Sequence, residues 1–318
     1  MKGYKGFKKG LICKDKQYTE NTVFEEDEMK VCESGMHFCP NPFDVLDYYG
    51  FVDDNGHMNE FAEVEALADT DTDDNKKYCT TKLKVGAKLS FAGFIKACID
   101  FVMEKTAVEV EADENDENVI CSKEKGAQIG SSGDYSQIGS SGYSSKIGSS
   151  GDYSKIGSSG YFSQIGSSGD YSQIGSSGYS SKIGSSGYSS QICSSGYSSK
   201  IGSSGDYSKI GSGGDSSKIG SSGYSSKIGS SGYSSKIGSS GDYSKIDSTG
   251  EDSVICCAGH GSVVKAKKGS WITLAEWKHS DKKKRWVPVC VKTEYVDGER
   301  IKEDTFYRLV DGEFTEVN

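Results

Sequence analysis

The sequence predicts a mainly β fold. Its centre is a parallel two-sheet β-solenoid of 18 residues per coil, with a small α/β cap before it and a β-rich cap after it. Three observations predict this. Isoleucine recurs at every ninth position from Ile120 to Ile255, and Val264 falls on the next step. Around it runs the unit I-G-S-S-G-(D/Y)-(Y/S)-S-(K/Q), so much of the glycine, 41 residues in all, is periodic rather than linker-like. The Asp-Tyr pairs begin at 134, 152, 170, 206 and 242, all on one 18-residue comb. A nonamer with a single aliphatic side chain cannot bury that side chain alone. Stacking on its neighbours buries it.

Residues 1–119 read as the α/β cap. Strands are expected at Lys30–Cys32, Phe61–Ala66 and Tyr78–Val85. Pro42 precedes a short helix over Phe43–Tyr49, with Asn41 as its N-cap. Ser90–Glu104 predicts a second helix, because Phe91, Phe94, Ile95, Cys98, Ile99 and Val102 recur at helical spacing.

Residues 120–264 are the solenoid. Strand alternation turns Ile inward together with the serines two before and two after it. The Lys or Gln before Ile and the Gly after it then face outward. The stretch S-G-(D/Y)-(Y/S) is the turn, where Gly offers a positive φ. Seven coils from Ile129 to Val254 give a rod core of roughly 34 Å at the ordinary strand spacing. Two outward ladders result. One reads Lys146, Gln164, Lys182, Lys200, Lys218, Lys236; the other reads Gln137, Lys155, Gln173, Gln191, Lys209, Lys227, Lys245. Stacked lysines repel, and the interspersed Gln or nearby Asp is expected to relieve them. Tyr135, Tyr153 and Tyr171 stack at one corner, and Tyr143, Tyr161, Tyr179 and Tyr197 at the other.

Residues 265–318 read as the second cap. Two strands, Ser270–Trp277 and Trp286–Val291, flank a charged turn at Asp281–Arg285. Val296-Asp297-Gly298 and Val310-Asp311-Gly312 are hairpin turn signals. Trp271, Trp277 and Trp286 are expected to supply the bulk that covers the last open coil, protecting the rod from end-to-end aggregation.

The net charge of −9 is concentrated in the first 119 residues, which carry 14 Lys against 26 acids. Its acidic clusters read as solvated loops, with nucleic-acid mimicry as the sharper alternative. All three arginines lie at or beyond position 285, which excludes an Arg-built phosphate site from most of the chain. The ten cysteines show no paired framework and read as free thiols of a reducing compartment. Neither a signal peptide nor a membrane-spanning run is visible, so a cytoplasmic protein of a bacterial host cell is expected.

Several families are compared at these residues. The nonamer is similar to that of the calcium-binding β-roll. That family needs Asp two before the inward apolar residue, where this chain has Ser136, Ser145, Ser154 and their equivalents, so calcium is not implied. The segment formed by Gly6-Phe7, Leu11, Cys13, Tyr18, Val31–Cys39, Pro42, Asp47-Tyr48-Tyr49 and Lys84–Ala87 resembles a domain of unknown function in phage and prophage proteins, and the tail Gly298–Glu316 shares the resemblance. The resemblance implies phage origin and no assigned activity. Gly35–Cys39 with Pro42 and Tyr48 also looks like part of an ADP-ribosyltransferase-like fold, for which Glu63 or Glu65 would be the catalytic acid. Cys32, His37 and Cys39 with Cys13 or Cys79 are loosely spaced for zinc, and a structural His among free thiols is the reading preferred.

No catalytic constellation is evident and no cofactor is implied. The expected function is a non-enzymatic, phage-encoded binding protein that presents its rigid solenoid to a host protein, as an inhibitor of a defence or nucleic-acid enzyme. The candidate binding residues are Lys146, Lys182, Lys200, Lys218 and Lys236 with Tyr143, Tyr161, Tyr179 and Tyr197. The alternatives are a self-associating structural or adhesive component, and the ADP-ribosyltransferase-like enzyme. A nucleic-acid strand on the Lys and Tyr ladders is a lesser reading.

Overall fold

A computed structural model describes residues 1–31, 33–53, 58–105 and 119–317. The chain divides into Met1–Phe101 and Val102–Asn318.

The N-terminal unit has an antiparallel four-stranded sheet ordered Lys2–Phe7, Glu60–Ala66, Lys82–Leu89, Thr22–Glu25. A second sheet joins Met36–Phe38, Tyr78–Thr80 and Thr70–Thr72. The helices are Pro42–Tyr48 and Phe91–Lys105. Asn41 Oδ1 accepts from the Phe43 amide at 3.0 Å, so the expected N-cap is in place, and Ser90 Oγ caps the second helix by accepting from the Gly93 amide at 3.0 Å. Phe94 stacks on Phe61 with ring centroids 3.8 Å apart, which ties the second helix to the sheet. Two strand expectations change. Lys30 makes only an isolated bridge to Ser34, while Cys32 lies outside the described residues. The run Tyr78–Val85 breaks at Thr81, because Tyr78–Thr80 and Lys82–Leu89 serve different sheets.

The second unit is the solenoid. Its strands from Val119–Ser122 to Val254–Cys257, four residues each, begin every nine residues and alternate between two parallel sheets. Ile138 pairs in register with Ile156 and Ile147 with Ile165, so one coil is 18 residues. Each sheet contains nine parallel rungs where seven coils were expected, since Val119–Ser122 at one end and Val254–Cys257, Val263–Lys265 and Trp271–Ser280 at the other extend the stack. The isoleucines from Ile138 to Ile255 are all 4% exposed or less and form one continuous core. Full burial of each contributes about 1.5–3 kcal/mol.

The turns are built differently from the expectation. The positive φ belongs to the seventh position of the unit, not to its turn glycine: Tyr135, Ser144, Tyr153, Phe162 and their equivalents to Asp252 all lie between 52° and 59°. Each such conformation costs on the order of 1 kcal/mol for a non-glycine residue. The return is a hydrogen bond between coils, as where the Tyr153 amide donates to the Asp170 carbonyl at 2.8 Å. The turn glycine has another reason. A Cβ on Gly151 would overlap the carbonyl oxygen of Gly133 one coil away, and the same holds from Gly160 through Gly259. Glycine is required there for close approach of backbones.

The inward serines at the eighth position from Ser136 to Ser253 are fully buried, and all but Ser199 and Ser217 donate to the turn-glycine carbonyl three residues before. Ser145 to Gly142 at 2.9 Å is one of many. The bond closes within one turn.

At the C-terminal end, Trp271–Ser280 is both the last parallel rung and the first arm of a hairpin with Arg285–Tyr295. Its register aligns Ile272 with Ile255, so Ile272 and Leu274 continue the core. Trp271 therefore faces outward, and it and Trp286 are each 49% exposed. Those two tryptophans do not cover the coil, whereas the half-buried Trp277 donates its indole N–H to the Ala258 carbonyl at 2.8 Å. Val296, Ile301, Tyr307 and Leu309 join the Ile core there instead. The Asp311-Gly312 turn is as expected, with φ of 48° and 76°. Asp297-Gly298 is not a hairpin turn: Asp297 Oδ1 accepts from the amides of Glu299, Arg300 and Ile301 and closes a loop.

Candidate functional site

Parallel register converts the sequence ladders into surfaces. Lys146, Gln164, Lys182, Lys200, Lys218 and Lys236 occupy successive rungs of one sheet, with Gln128 before them and Val254 after. Alternation puts a glycine beside each lysine on the same outward face: Gly148, Gly166, Gly184, Gly202, Gly220, Gly238. Nothing lies within 4 Å of a Cβ built on any of them. This face is an open trough of about 1110 Å³, floored by backbone and walled by Lys and Gln side chains.

Among the described residues the lysine ladder has no compensating acid. Among the described residues Lys146, Lys182, Lys200, Lys218 and Lys236 form no ion pair. The corner aspartates were a candidate relief for their repulsion, and the structure commits them elsewhere. Asp134 Oδ1 accepts from the Asp152 amide at 2.9 Å, Asp152 from the Asp170 amide at 2.8 Å, and Asp206 from the Tyr224 amide at 2.7 Å. Each carboxylate caps an amide of the next coil. Four consecutive rungs, Lys182 to Lys236, thus stack like charges within one strand spacing.

The second ladder is less accessible. Gln191 is 6% exposed, and the outward Cys193 and Asp247, at glycine positions, are fully buried. Outward in register does not mean exposed on this sheet. Asp247 pairs with Lys265 at 2.7 Å on the next rung, and Lys265 lies over the Phe306 ring at 5.0 Å. Burial pushes the Asp247 carboxyl up to about 6, against the opposing pull of Lys265.

Tyr143, Tyr161, Tyr179 and Tyr197 stack where the chain enters the lysine-bearing sheet, with centroids 6.3, 6.1 and 5.2 Å apart. The other corner goes further than expected. Beyond Tyr135, Tyr153 and Tyr171 the rings continue through Tyr188, Tyr207, Tyr224, Tyr243 and His260 to Trp286. Tyr188 and Tyr224 take the aspartate place in their units, so a strict positional reading misses them.

The N-terminal unit contains a cavity of about 580 Å³ lined in part by Lys5, which the sequence reading did not single out. The available signal was strand alternation: Gly3, Lys5 and Phe7 share one side, and Phe7 is fully buried. Glu63 is exposed, and neither it nor Glu65 lines the cavity. Among the described residues no three His, Cys, Asp or Glu side chains form a metal-binding group. No helix among the described residues is long and apolar enough to cross a membrane.

No curated protein and no solved structure matches the chain. Residues 1–97 match the family described as a domain of unknown function (DUF7666), so this chain joins a domain of that family to a β-solenoid; the match does not extend to the C-terminal tail.

Proposed function

We propose that the chain is a non-enzymatic, phage-encoded binding protein acting in the bacterial cytoplasm, whose open solenoid face docks an acidic surface of a host protein. One observation carries this reading: five lysines share an accessible face with a bare glycine trough and have no ion-pair partner among the described residues. A rigid cationic ladder recognises an extended anionic partner through charge complementarity, which raises association rate and sets register. Because the lysines stand on a parallel sheet, their spacing is preset, and little ordering is required on binding.

The test uses the full chain with poly-L-glutamate as the acidic probe and single-stranded oligo-dT as the nucleic-acid comparison. Poly-L-glutamate is expected to bind with affinity that falls as salt rises. The triple variant Lys182→Glu, Lys200→Glu, Lys218→Glu should weaken it at least tenfold. Tight oligo-dT binding with none to poly-L-glutamate would replace the protein-binding reading with the nucleic-acid one.

A further inference from the structure

Lys5 is 5% exposed in the middle of the strand Lys2–Phe7. Its Nζ donates to the His37 carbonyl at 2.7 Å and lies 5.4 Å from the centre of the Tyr18 ring and 5.7 Å from that of Phe7. Among the described residues no carboxylate pairs with it. Glu26, whose charge acts on Lys5, is engaged by Lys16 at 2.7 Å. A buried ammonium with one carbonyl, the Cys13 sulfur and two ring faces is under-compensated, because an ion taken from water needs a counter-charge or a full set of acceptors. Burial accordingly lowers the Lys5 pKa.

The same ammonium borders the cavity, whose volume of about 580 Å³ suits a small molecule. Tyr18, Tyr48, Tyr49 and Phe38 contribute aromatic lining, and the Tyr49 hydroxyl donates to Cys13 Sγ at 3.2 Å. Flat apolar walls with one buried cation select a flat ligand with one negative charge. A phosphate ester is a poorer fit, since it calls for several donors at one point and, of the lysines that line the cavity, only Lys5 is buried while Lys16 is held by Glu26.

We propose that this cavity binds a small aromatic carboxylate, its ring against the tyrosines and its carboxylate on Lys5. The site lies within residues 1–97 and is independent of the solenoid face. The test is saturation-transfer NMR on the full chain with 4-hydroxybenzoate and its neutral counterpart 4-hydroxybenzamide. The carboxylate should bind about tenfold or more tightly, the margin of one hydrogen bond to a charged group. Lys5→Met should abolish that preference. Should the variant fail to fold, the wild-type protein still decides: bound 4-hydroxybenzoate should slow iodoacetamide alkylation of cavity-lining Cys13 and leave exposed Cys256 unchanged. Equal binding of acid and amide, no transfer at millimolar ligand, or unprotected Cys13 would overturn the proposal.

Discussion

A buried carboxylate at a glycine position is the most consequential substitution in the repeat. Asp247 replaces the outward glycine of its rung and is fully buried beside Lys265. Its carboxyl is raised to about 6, above the value near 3.9 of an unfolded chain. Between those two values the native state retains a proton that the unfolded state has lost. This site therefore favours folding at acid pH, and its contribution declines as pH rises from about 4 through 6 and is level above. The size is up to ~3 kcal/mol. Urea unfolding of wild type and Asp247→Asn at pH 4, 5, 6 and 7 checks it. The stability of wild type relative to the variant should fall across that range. A flat difference would show that the pair with Lys265 cancels the cost of burial.

Within a coil, two glycines of one unit have opposite roles. Gly166 faces the open trough with nothing near a built Cβ, whereas a Cβ on Gly169 would overlap the Gly151 carbonyl. Gly169→Ala is expected to cost about 1–3 kcal/mol through overpacking against rigid backbone. Gly166→Ala should stay within about 0.5 kcal/mol of wild type, as an exposed change does. Thermal and urea unfolding of the two variants side by side distinguish them. Similar losses would mean that glycine at the outward position has a packing role too. Composition alone cannot separate these positions, because both appear as glycine in a Ser-rich repeat; the distance between coils separates them. The cap elements divide the same way. Both helices were legible from capping residues and spacing, while Tyr78–Val85 read as one strand because nothing local marks Thr81 as the point where the chain changes sheets.

Across the molecule, stacked coils interact with their neighbours along one dimension. Removing one whole coil, residues 164–181, joins Ser163 to Lys182 and leaves every later strand in its own sheet. That deletion should lower the melting midpoint by only a few degrees. Removing nine residues, 164–172, sends every later strand into the opposite sheet. Ile272 and Tyr307, which close the rod from different sheets, would then exchange places, and cooperative melting should be lost. Circular dichroism melts of both deletions test this. A nine-residue deletion that melts like wild type would show that the two faces are interchangeable.

The sequence by itself determined the period, the 18-residue coil, the inward isoleucines and the membership of both lysine ladders. Those properties follow from a local pattern repeated until its register has no alternative. Tertiary structure alone decided which residue of each turn is left-handed, where the aspartates point, which sheet face is open and which residues close the C-terminal end. It alone brought Lys5 together with Cys13, Tyr18, His37 and Tyr49 around one cavity. Each of these depends on atoms that are distant along the chain or in adjacent coils, and no spacing within one segment encodes their separation.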